Sequence, residues 1–171
     1  MSDFSVVDGV ATIHDPELYR TRLDQPDYKD AVAASTDPDV EAIKRLVIGF
    51  EADLAGLVRD RTIEKNISEV MEKYVVRDYV QHDPNAPGHG RDLLIEFFRH
   101  VPLNGGTPPP VVSVVVEGDL ACGMMRRPNP DPVIPGATYD RNILTLFRTK
   151  NGQLSEHWSA YQKRVPREEP M

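Results

Sequence analysis

Cysteine is almost missing from this chain: Cys122 stands alone among 171 residues. One thiol closes no internal disulfide, which speaks against a stapled secreted scaffold, and its apolar surroundings suit a small buried hydrophobe better than a nucleophile. Basic runs are missing too. Lys/Arg clusters stop at two or three residues and the formal net charge is −7. A nucleic-acid binder needs a basic stripe to release counterions, so no nucleic-acid partner is expected. No apolar run approaches the roughly 20 residues that cross a bilayer, and no membrane partner is expected either. The first thirty residues show neither a basic start nor a continuous apolar stretch, so we expect no signal peptide and a cytoplasmic protein. The chain has no phosphate-cradling glycine loop and no dinucleotide fingerprint, which makes chemistry without a cofactor the expectation. His82, Asp83 and His89 are the only clustered metal-ligand types, and their spacing matches no standard zinc motif, so no metal is expected.

What is present is ordinary globular material, 40% hydrophobic and 27% charged, in a length that suits one domain. Residues 1–38 are polar and interrupted by Pro16, Pro26 and Pro38, and they read as an extended arm with a short helix around Glu17–Leu23. From Val40 a period appears: Val40, Ile43, Val47, Phe50, Leu54 and Leu57 form one stripe of an amphipathic helix. Thr62 is the natural N-cap of a second helix that carries Ile63, Ile67, Val70, Met71 and Tyr74 on one face. Asp78–Pro84 is a short extended piece, and Arg91–Val101 forms a third helix. Beyond the breaker Asn104–Pro110 the chain turns to strands: Val111–Val116, Leu120–Arg127, Tyr139–Arg148 and Gln153–Lys163, with Asn151-Gly152 as a hairpin turn. Three helices beside an antiparallel sheet predict an α+β domain over residues 39–165, followed by a tail at 166–171.

Three stretches in this order carry a resemblance. They are Asp78-Tyr-Val-Gln-His-Asp-Pro84 with His89-Gly-Arg91 after it, then Val116-Glu-Gly-Asp-Leu120, then Leu146-Phe-Arg148 with Asn151-Gly152 and Glu156-His-Trp158. Together they resemble the nuclear-transport-factor-two-like superfamily and, within it, the SnoaL-like polyketide cyclases and their ketosteroid-isomerase relatives. The resemblance implies a strongly curved, cone-shaped sheet whose helices enclose a pocket for a small molecule, and a homodimer paired through the sheets. It also implies that Asp83 matches the general base of the isomerase-like members, and that His82 belongs to a Gln-His pair common in the SnoaL-like enzymes.

The residues leave each role open. Asp83 in an apolar cavity would have a raised pKa suited to moving a proton; beside Pro84 it would equally cap a turn. On the last strand Ser155, His157, Ser159 and Tyr161 share a face opposite Leu154, Trp158 and Ala160, and the resemblance turns the His157 face inward. There His157 serves as an acid–base group or as a structural imidazole, and Ser159 and Tyr161 line the pocket. On the strand before it Tyr139, Arg141 and Thr145 point inward by the same resemblance. Tyr139 and Arg141 then stabilise an enolate, hold a carboxylate, or form a rim salt bridge. Two positions depart from the relatives: Thr145 stands where isomerase-like members place an acidic donor, and Ser159 where many SnoaL-like cyclases have Asp. The proline-rich loop Pro128–Gly136 makes a stiff rim or a plain hairpin. The first expectation is a cyclase, isomerase or dehydratase working by acid–base catalysis on a carbonyl-bearing, polyketide-like intermediate, with Asp83, His82 and His157 catalytic. The alternatives are an epoxide hydrolase-like activity and a binding or assembly module without catalysis.

Overall fold

The computed structural model describes residues 3–7 and 10–14 as backbone, and residues 27–86, 88–100 and 109–161. The expected helix at Glu17–Leu23 and the tail at 166–171 lie outside the described residues. Within the expected arm, β1 (Asp3–Val7) and β2 (Val10–His14) pair antiparallel. The helix α1 (Tyr28–Ala33) follows, and its Val32 and Ala33 are buried in the core at 6% and 1% exposure. The part of the arm from Tyr28 to Ala33 is therefore a packed element, not an extended leader. Its stripe is only two residues wide, too short for a sequence period to reveal.

Asp37 opens α2 (Pro38–Arg59) by accepting the amides of Asp39 (2.9 Å) and Val40 (3.4 Å), with Pro38 in the first turn where a missing N–H is harmless. The expected stripe buries Val47, Phe50 and Leu54. Thr62 precedes α3 (Ile63–Tyr74) but makes no side-chain cap; its carbonyl accepts the amide of Asn66 instead. Strand β3 (Val75–Gln81) leads to α4 (Arg91–His100), then β4 (Val111–Glu117), β5 (Leu120–Pro130), β6 (Thr138–Lys150) and β7 (Gln153–Tyr161). The sheet runs β3-β7-β6-β5-β4, antiparallel except that β3 lies parallel to β7. The class is α+β, with four helices among the described residues and a strongly curled sheet.

One register detail corrects the expected faces of β7. The pairing with β6 slips between Arg148 and Thr149, so Ser155 is the extra residue of a bulge and its hydroxyl donates to the Arg148 carbonyl at 3.1 Å. Leu154 is thereby turned into the core, with no exposed surface, while Trp158 stays on the outer face. Leu154 and Trp158 do not share a side of the sheet, and a strict period of two cannot see why.

Candidate active site

The concave face of the sheet meets α2 and α4 around a cavity of about 200 Å³. Its apolar wall comes from Phe50 and Leu54 on α2, Leu94 and Phe98 on α4, Met125 on β5 and Phe147 on β6. Its polar wall is Glu51, Tyr79, Gln81, Thr145, His157 and Ser159. Strand register places several of these side by side: Gln81 opposite His157 across β3 and β7, and Thr145 opposite Ser159 across β6 and β7.

A hydrogen-bonded chain follows, and its proton positions can be deduced. The Gln81 side-chain oxygen accepts the Asp83 amide at 3.0 Å, which fixes it as the carbonyl end. His157 Nδ1, 2.8 Å from the same oxygen, must therefore donate. In the neutral ring Nε2 is then an acceptor, and the Thr145 hydroxyl donates to it at 2.9 Å. Burial pushes the His157 pKa down to about 4, with the nearby Asp83 charge acting in the opposite sense. His157 is a neutral imidazole with both nitrogens occupied.

Asp83 is not the buried base that its neighbourhood suggested. It does not line the cavity: Oδ1 accepts the Asn85 amide at 2.8 Å and the Asn85 side-chain nitrogen at 2.9 Å, closing the turn, and Oδ2 accepts the Ser159 hydroxyl at 2.5 Å. Burial works to raise its pKa, but these bonds and the His157 ring hold it below the ordinary carboxylate value. Of the two expected behaviours the turn cap is the one found: Asn85 in the turn after β3 and Ser159 on β7 supply the donors, and the expected raised pKa is reversed. His82 also lies elsewhere. It stacks on Trp158 on the outer face, with centroids 4.5 Å apart, and its Nε2 is 2.8 Å from Glu156 Oε1. Of the expected residues, Thr145, His157 and Ser159 meet at the cavity. Tyr139, Arg141 and Tyr161 continue the same strand faces beyond its lining, and Arg141 stacks on the Tyr161 ring at 4.3 Å.

The carboxyl that does line the cavity is Glu51. It is buried on α2, no cation pairs with it among the described residues, and burial raises its pKa to about 7. Tyr79, on β3, is buried in the same wall; burial and the Glu51 charge raise its pKa, so its phenol stays protonated. The sequence carried a signal for Glu51 that the apolar stripe concealed. It stands four residues after Val47 and three before Leu54, on the buried face, where an acid is out of place.

No protein-family model and no curated protein matches this chain. Solved structures do. TerC, co-crystallised with polyporic acid, is 18% identical over 71% of this chain and 92% of its own, with a TM-score of 0.51. A nuclear-transport-factor-two-like protein of unknown function from Burkholderia pseudomallei is 15% identical over 71% and 91%, with a TM-score of 0.50. The fold is nuclear-transport-factor-two-like. A protein provisionally assigned as a polyketide cyclase from Acidithiobacillus ferrooxidans aligns at 19% identity over 76% and 92%, with a TM-score of 0.48. In this nuclear-transport-factor-two-like domain the cavity sits inside the curl of the sheet, between α2 and α4. Among the described residues no group of three or more metal-ligating side chains converges, and no helix is long and apolar enough to cross a membrane.

Proposed function

We propose that the domain is an acid–base enzyme of the cyclase, isomerase or lyase type that acts on a small carbonyl compound held in the cavity. The observation that carries this reading is Glu51, a carboxyl with a pKa of about 7 lining an apolar chamber beside a protonated phenol. A base with that pKa can both take and return a proton near neutrality. Glu51 as carboxylate removes a proton from the carbon beside the carbonyl, and the bonding pair moves onto the carbonyl oxygen. The Tyr79 hydroxyl is a donor for that developing oxyanion. The protonated Glu51 then returns the proton to another carbon, giving a shifted double bond. Attack of the same enolate carbon on a second carbonyl closes a ring, and the new alkoxide takes the Glu51 proton; loss of a β-hydroxyl as water, protonated by Glu51, completes a dehydration. Gln81, His157 and Thr145 act as a fixed polar wall that orients the substrate.

The test is proton exchange in heavy water on cyclic ketones of cavity size, 1-tetralone first, with deuterium beside the carbonyl read by mass spectrometry. Glu51→Gln is expected to lower the enzyme-dependent rate by about 10²- to 10⁴-fold. The wild-type rate should rise with pH through about 7, the Glu51 value. A Glu51→Gln variant that exchanges as fast as wild type ends this assignment. A binding module without catalysis is the second reading, favoured because His157 and Asp83 already have their hydrogen bonds within the protein. It predicts ketone binding with no exchange above buffer.

The proposal includes a homodimer. Leu144, 44% exposed, and Trp158 lie on the outer face of β6 and β7, and such a patch suits a second sheet. Sedimentation at twice the 19.2 kDa chain mass supports it, and a monomer at micromolar concentration refutes it.

A further inference from the structure

The concave face does not stop at the cavity. On β6 it continues from Ile143, a cavity wall, to Arg141; on β5 it continues from Met125 to Arg127; on β7 it continues from Ser159 to Tyr161. The unbroken β5–β6 register sets Arg127 directly opposite Arg141. Arg127 is turned toward Asn129, whose Oδ1 accepts from its Nε at 3.2 Å. Arg141 has no carboxylate partner among the described residues, and its Nε is buried there without a hydrogen-bond acceptor. Its Cζ lies over the Tyr161 ring, 4.3 Å from the centroid. Stacking of this kind fixes the orientation of an arginine fork and leaves its edge available for a planar, two-oxygen acceptor.

We propose that Arg141, with Tyr161 beneath it, binds the carboxylate of an acidic substrate whose reacting part enters the cavity. This rests on the cavity being the reaction site, and it names the substrate class: a carbonyl compound that carries a carboxylate on a side arm. Two magnitudes set that arm. The cavity volume is about 200 Å³. It therefore takes a ring-sized group, and a larger substrate must extend along the sheet. Arg141 stands four strand residues from Thr145, about 14 Å at the usual strand rise, so the acid is remote from the reacting ring.

The test uses a matched pair of probes, 4-(2-naphthyl)butanoate and 4-(2-naphthyl)butan-1-ol, titrated calorimetrically into the full chain at low salt. The acid is expected to bind about tenfold or more tightly than the alcohol, with the preference shrinking as salt is added. Arg141→Gln should remove the preference and leave the alcohol's affinity unchanged, while Arg141→Lys, which keeps charge without the fork, should recover part of it. An acid that binds no better than the alcohol, or binding of neither, overturns the proposal. So does an Arg141→Gln variant that weakens both probes equally, which would make the residue a packing element on Tyr161. Displacement of the acid by inorganic phosphate but not by acetate at equal concentration also overturns it, in favour of a phosphorylated ligand. Glu51→Gln keeps the acid preference under this proposal. An intact preference without ketone exchange would sink the catalytic reading alone, and exchange without preference would sink the carboxylate site alone.

Discussion

Two buried titrations with opposite signs meet at the cavity. Glu51 moves from an ordinary carboxyl value up to about 7, and His157 moves from an ordinary imidazole value down to about 4. Between roughly pH 4.5 and 7 the folded protein holds the Glu51 proton that the unfolded chain has lost, so this contribution to stability is present at low pH and declines as pH rises. Between roughly pH 6.5 and 4 the unfolded chain protonates His157 while the folded ring stays neutral, so its contribution declines as pH falls. Each shift corresponds to about 3 kcal/mol, and over the shared window the two slopes cancel. Wild-type stability, measured by urea denaturation, is therefore expected to be nearly flat across that window with respect to these groups. Glu51→Gln should expose the His157 slope: more stable than wild type by up to about 3 kcal/mol near pH 8, and close to wild type near pH 4. A variant equally offset at both pH values would mean that the Glu51 pKa is the same in the folded and the unfolded chain. Asp83 belongs to the other class. Its lowered pKa gives stability that is present above the unfolded carboxyl value and lost as pH falls through the folded one. Asp83→Asn is expected to lower stability at neutral pH by about 1–2 kcal/mol, since it weakens charged hydrogen bonds to Asn85 and Ser159, and to lower ketone exchange only slightly. A loss of exchange matching that of Glu51→Gln would return the proton-transfer role to Asp83.

Between elements, the site depends on how closely strands and helix approach. Gly123 on β5 leaves room for both sides of the contact. A Cβ there would lie 3.2 Å from Thr145 Cγ2 and 3.3 Å from Val47 Cγ1, so the helix α2 rests on the sheet through a missing side chain. Gly123→Val is expected to cost about 1–3 kcal/mol by overpacking, and to move Thr145 off His157. The ¹⁵N resonance of His157 Nε2 reports that hydrogen bond directly; an unchanged shift in the variant would show that the contact yields elsewhere. Thr145→Val keeps the volume but removes the donor, leaving the Nε2 lone pair of a buried ring unsatisfied, at about 1–3 kcal/mol. Full stability in this variant would mean that another donor reaches Nε2. The bulge at Ser155 acts at the same scale. It lets one strand put Leu154 into the core near β3 and His157 into the cavity a few residues later.

At the scale of the molecule, α1 closes one side of the core. Val32 and Ala33 are buried, the Lys44 ammonium donates to the Ala34 carbonyl at 3.1 Å, and Arg45 pairs with Asp30 at 2.7 Å. The exposed ion pair contributes little, and the burial of Val32 and Ala33 contributes most. Deleting residues 1–36 should therefore lower the urea midpoint by the equivalent of about 2 kcal/mol or more. An unchanged midpoint would show that α1 docks without stabilising the domain.

How much was legible follows from these scales. The stripe Val47, Phe50, Leu54 and the β-branched run Val111–Val116 record local periods, and local periods are what sequence alone determines. The four-strand order of the second half, the hairpin at Asn151-Gly152 and the inward face of Thr145, His157 and Ser159 were readable for the same reason, the last with the help of the family resemblance. Only tertiary structure decided which carboxyl is buried. Asp83 finds donors in its own turn and in a strand 76 residues away, whereas Glu51 finds an apolar chamber built from five other elements. A carboxyl's pKa is set by the groups that surround it in space, and those groups are distant in the chain. The face of Leu154 was undecidable for a related reason: one bulged residue reverses every side chain beyond it, and bulges leave no mark in a period of two.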